Sequence, residues 1–143
     1  ELAHEKLMAA ERLISKCETE TEFRVRLDLF LKGLATLFAE QSHLIKLFFY
    51  ELERGFDGAE NQYKVAFSGL FDSFIKFLKS AHEKKFIRET PDIRVTAAHL
   101  LGPLTSLAKS KNAAAKYLGV TLEDQEFRDA LVKDLVSGIV RSS

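Results

Sequence analysis

Between residues 62 and 85 the apolar side chains Tyr63, Phe67, Leu70, Phe71, Phe74, Ile75, Phe77, Leu78 and Ala81 recur at helical spacing. At 100° per residue they fall within roughly 160° of one side of a helix, with Asp72, Lys76, Lys79 and Glu83 opposite. Such a helix is on the order of 35 Å long, enough to cross a whole domain. The chain has 143 residues, the size of one ordinary domain, so the fold has to be built around this element. Strand-type alternation is absent, and the pattern predicts an all-α domain of about six helices.

The other helices follow from the same period and from their end signals. The first is expected over 2–17, with Leu7, Ala10, Leu13 and Ile14 on its apolar side. Thr19 with Glu22 forms a capping-box pattern for a second helix over 22–40. Its apolar residues, Phe23, Leu27, Phe30, Leu31, Leu34, Leu37 and Phe38, wrap most of the circumference and predict a central position. Ser42 is placed as the cap of a short helix holding Leu44, Leu47, Phe48, Tyr50 and Leu52, with Gly55 and Gly58 in the turn after it. Thr90 as N-cap, Pro91 at the first helical position and Asp92 at the positive dipole end predict the next start. Pro103 within that helix removes the hydrogen bond to the His99 carbonyl and predicts a kink. Gly119 closes the region, and Thr121 with Asp124 is expected to open a last helix over 122–140.

That last helix carries more apolar surface than one packed side needs. Phe127, Leu131, Val132, Leu135, Val136, Ile139 and Val140 cover close to 200° of it, where a stripe of about 100° is enough. A second partner surface is implied, and the simplest partner is another copy related by a two-fold axis. The helix carrying Leu100, Leu101 and Leu104 is expected to share this homodimer face.

Composition narrows the function. Twenty-one basic residues balance twenty-one acidic ones, so nothing draws the chain as a whole to phosphates, and specific DNA binding by this chain alone is not expected. The longest apolar run, Leu47 to Tyr50, is four residues against the roughly 20 of a membrane span, and no signal peptide is visible. The single cysteine, Cys17, has no internal disulfide partner, which fits a cytoplasmic protein, and is placed as an inert surface or boundary thiol. No catalytic residues, metal ligands or cofactor are expected: His4, His43, His82 and His99 lack any paired ligand spacing, and there is no phosphate loop or nucleophile elbow. The chain reads as a non-enzyme. It also opens in mid-pattern without an initiator Met, as a piece of a longer protein would.

The order of elements resembles one family. The long helix ending Lys84-Lys85-Phe86-Ile87-Arg88, then Thr90-Pro91-Asp92, then Ala97-Ala98-His99-Leu100-Leu101-Gly102, resembles the regulatory domain of TetR-family transcriptional regulators, and the helix from Phe127 to Ile139 resembles that family's second dimer helix. Lys85 departs from the pattern, standing where a glycine is common. The resemblance covers nearly the whole chain. It implies one effector-binding and dimerisation domain over 1–143, with 1–18 as the linker helix from an N-terminal helix-turn-helix head that lies outside this sequence. It also implies a last pair of helices forming a four-helix bundle across a homodimer, and DNA contact only through the head.

An effector pocket is then expected where the aromatic residues of adjacent helices converge. The candidate ligand-binding residues are Phe30, Leu34, Phe48, Tyr63, Phe67, Phe71, Phe74 and His99. Phe67, Phe71 and Phe74 lie within about 60° of each other on the core side, and no charged residue interrupts the stripe, so the expected effector is a mostly apolar small molecule. Tyr63 or His99 could orient it. For His99 the plainer expectation is a partly buried ring bonded to a carbonyl freed by the kink. The same aromatics could instead fill a core with no pocket, leaving a constitutive dimerisation or scaffold domain.

Overall fold

In the computed structural model, which describes residues 2–54 and 61–140 (side chains of 2–4, 44, 48, 51, 52 and 61–67 excepted), the chain is all-helical. The elements are α1 Leu2–Leu13, α2 Glu20–Glu40, α3 Ser42–Glu53, α4 Asn61–Glu83, α5 Ile93–Lys109, the single turn α6 Lys111–Ala113, which runs into a π-helical turn Ala114–Leu118, and α7 Gln125–Ile139. Among the described residues no helix is long and apolar enough to cross a membrane.

Side-chain caps mark the starts of α2, α5 and α7. Thr19 Oγ1 accepts the Glu22 N–H at 3.1 Å, as the capping box predicts, while the Glu22 carboxylate reaches one residue further back, to the N–H of Glu18 at 3.0 Å. Two later starts differ from expectation. Asp92, not Thr90, is the N-cap of α5, accepting from the Arg94 N–H at 2.9 Å. Asp124, not Thr121, is the N-cap of α7. The Arg94 guanidinium, and after it the Arg94 backbone N–H, hold the Asp92 carboxyl down at about 2.

α2 is the hub. It packs against α1, α3, α5 and α7, while α4 lies along α1 and α5. Phe23, Leu27, Phe30, Leu31 and Ala35 are fully buried, which is what an apolar surface wrapping most of a helix requires. On α4 the described part of the stripe is buried at Leu70, Phe74, Phe77, Leu78 and Ala81, with Phe71 and Ile75 half-buried. The predicted polar side of α4, Asp72, Lys76, Lys79 and Glu83, is exposed. α5 continues through Pro103 to Lys109, and Gly119 ends the π-helical turn with a φ of 69°.

α1 is shorter than expected. It stops at Leu13, and residues 14–19 form a loop in which Cys17 is buried, not a surface thiol. At the other end of the chain, Ile87 and Val140 form an antiparallel bridge, and the Arg88 N–H donates to the Ile139 carbonyl at 2.9 Å. The turn after α4 is thereby pinned to the end of α7.

That turn also shows what Lys85 does in a glycine's place. The Lys85 N–H donates to the His82 carbonyl at 3.0 Å and the Phe86 N–H to the Ala81 carbonyl at 2.9 Å, the pairing of a Schellman motif. Lys85 occupies its left-handed position, with φ at 65°, where a side chain is crowded by the following carbonyl. Lys85→Gly is expected to raise folding stability by roughly 0.5–1 kcal/mol, read as a higher urea midpoint at unchanged slope. A lower midpoint would mean that the lysine's charge near the helix end outweighs its backbone strain.

Candidate functional site

The expected pocket residues divide by where the fold places them. Phe30 and Leu34 face inward from α2 one turn apart, and Phe74 meets them from α4. Phe30 and Phe74 stack, with ring centroids 5.0 Å apart and planes tilted by 23°. Their exposures are 0% for Phe30, 1% for Leu34 and 0% for Phe74, so these three are brought together and filled in by their neighbours. Phe71, one turn back along α4, is half-buried and packs on the same core. Phe48 on α3, and Tyr63 and Phe67 on α4, have side chains outside the described residues.

His99 stands on a different side of α5. It follows Thr96 and Ala97 and precedes Leu100, all buried, yet is itself exposed, because one residue along a helix turns the side chain by about 100°. Its ring lies against α7: a Cβ built on Gly138 would come 3.5 Å from His99 Nε2. Exposure replaces the partly buried ring expected from the kink.

Other features of the site region were not legible in the pattern. Lys109 joins α5 to α3, with Nζ 3.1 Å from a Glu53 carboxylate oxygen and 5.5 Å from the centre of the half-buried Phe49 ring. A shallow recess lies where α2 and α5 end and α3 begins, lined among others by Phe38, Ser42, Leu107, Lys111 and Leu122. The Lys111–Glu123 ion pair, at 3.3 Å, stands at the same place. Among the described residues no cluster of His, Cys, Asp or Glu could hold a metal ion.

The surface of the α5–α7 pair is distinctive. Leu100 and Leu104 on α5, and Val132, Leu135, Val136 and Ile139 on α7, are buried in the chain's own core. The leucines expected on a dimer face are therefore mostly inside, Leu101 being half-buried. Outward on the pair, beside the exposed Arg94, His99, Asp134 and Ser137, are Val95, 62% exposed, the exposed Ala98, and the half-buried Gly102, Phe127, Leu131 and Gly138. By helical spacing Val95, Ala98 and Gly102 share the side of α5 opposite Leu100 and Leu104. Comparison of the chain with known protein families, with curated proteins and with solved structures finds no match.

Proposed function

We propose that this chain is the effector-sensing and dimerisation domain of a TetR-type transcriptional repressor, binding a mostly apolar small molecule and reaching DNA through a separate N-terminal head. The observation that carries the reading is the outward face of α5 and α7. Val95, Ala98, Gly102, Leu131 and Gly138 offer apolar side chains between small ones, a surface against which the same two helices of a second copy can approach closely. The balanced charge of the chain supports assigning DNA contact to another region. In this reading the effector has to bind the arrangement of helices that releases DNA better than the one that holds it, since equal affinity would shift nothing.

The test is the mass in solution. Light scattering at micromolar concentration is expected to give twice 16.2 kDa, from an interface burying on the order of 2,000 Å² or more. Val95→Glu combined with Leu131→Asp places four charges in a two-fold interface, and the mass should fall to 16.2 kDa with helical circular dichroism retained. A monomeric parent chain would overturn the dimerisation half of the reading.

The second reading, a constitutive dimerisation or scaffold domain without an effector, draws on the Phe30–Phe74 stack. Rings packed at 5.0 Å with no exposure leave no room for a ligand between them. Both readings share the dimer, and they part on the aromatic cluster.

A further inference from the structure

We propose that residues 14–19 are a releasable latch that sets where α1 lies on the domain, with Arg26 of α2 and Lys84 at the end of α4 as its two catches. The last carbonyls of a helix have no partner within it, and a left-handed glycine commonly closes them off. After Leu13 the chain continues Ile14, Ser15, Lys16, Cys17, Glu18, with no glycine for that purpose. Donors arrive from other helices instead. Arg26 Nη1 donates to the Leu13 carbonyl at 3.2 Å and to Ser15 Oγ at 3.0 Å. Lys84 Nζ donates to the Cys17 carbonyl.

Besides these two catches, the loop is tied at its far end by the capping bonds of Glu18 and Thr19 to Glu22. Of residues 14–19 only Ile14 and Cys17 are buried, and Cys17 packs beside Phe23, Phe77, Ser80, Ala81 and Phe86. Local opening is least costly where few apolar contacts are lost. α1 meanwhile keeps Leu7 and Ala10 in the core, and Glu11 accepts from Ser73 Oγ at 3.0 Å. Releasing the latch therefore frees the C-terminal end of α1 to pivot while the helix stays docked. Only the use of that pivot, passing the state of the domain along α1 to a DNA-binding head, rests on the function proposed above.

Cys17 reports on the latch directly. Its thiol donates to the Ser15 carbonyl at 3.5 Å, and burial, followed by the Glu22 carboxylate, pushes it above its ordinary range. Arg26 and Lys84 pull the thiol the other way, so removing either cation lowers the thiolate fraction and by itself slows alkylation. Faster alkylation then has to come from opening. Iodoacetamide is the suitable probe, because it is neutral and its approach does not depend on the lost charge.

Lys84→Met and Arg26→Met, each in the full chain, are expected to be alkylated at Cys17 about 10-fold faster than the parent, at a rate nearly independent of low, non-denaturing urea, the mark of local opening. Lys79→Met, at an exposed position of α4, should react at the parent rate. Parent-like rates in the Lys84 and Arg26 variants would overturn the latch. So would an acceleration that climbs with urea as steeply as global unfolding, which would make the two residues ordinary contributors to stability. The readout does not involve the α5–α7 face, so its failure and a monomeric mass are separate results.

Discussion

Replacing Phe74 by alanine is expected to cost about 3–5 kcal/mol of folding stability. Phe74 is 0% exposed, so truncation removes a whole ring from the core and leaves a cavity that rigid neighbours can only partly close. The stacked Phe30 ring at 5.0 Å loses its partner as well, and aromatic pairs couple by roughly 0.5–1.5 kcal/mol beyond their buried area. Phe71→Ala should cost clearly less, because that ring is only half-buried. Urea unfolding of the two variants, of Phe30→Ala and of the Phe30→Ala, Phe74→Ala double variant measures all of this. The result also bears on function. A full cost confines any effector cavity to the rest of the expected lining, Phe48, Tyr63, Phe67 and Phe71. A cost below about 1.5 kcal/mol would mean that Phe74 already borders empty space, and the filled-core reading would lose its main support.

Helix existence was legible because it depends on periodicity summed over many residues. The α4 stripe and the wrapped surface of α2 each involve seven or more apolar positions, and no local competitor overrides a signal of that length. Phe30, Leu34 and Phe74 were found together for the same reason: spacing fixes which side they share. His99 was not, since its expected burial rested on one freed carbonyl, whereas its neighbours Ala97 and Leu100 had already fixed the inward side of α5. Cys17 lies past the end of α1, where the helical period has no authority, and its burial depends on Phe23, Phe77 and Phe86 from elements distant in sequence. How the wide apolar surface of the last helix divides was not readable. Val132, Leu135, Val136 and Ile139 belong to the chain's own core, leaving Phe127 and Leu131 half-buried at the edge.

The two misplaced helix starts share one cause, which predicts a measurable ordering. In each, a threonine precedes an aspartate by two or three residues, and the pattern alone favours the threonine as the cap. The threonine instead shapes the turn before the helix: Thr121 Oγ1 accepts the Glu123 N–H at 3.2 Å, a local bond of the kind that competes with helix formation. Asp124 Oδ1 accepts the N–H groups of both Glu126, at 3.0 Å, and Phe127, at 3.3 Å. It therefore satisfies two of the four unpaired donors at the start of α7 and places negative charge at the positive end of the helix dipole. Asp124→Ala is expected to cost about 1–2 kcal/mol, and Thr121→Ala less than about 0.5 kcal/mol, both by urea unfolding. Phe127 sits in the turn that Asp124 caps, at the edge of the proposed dimer face, so Asp124→Ala should also raise the concentration at which the dimer dissociates. If Thr121→Ala proved the costlier change, the helix would have to begin upstream of Gln125, and the face assigned to Phe127 and Leu131 would have to be redrawn with it.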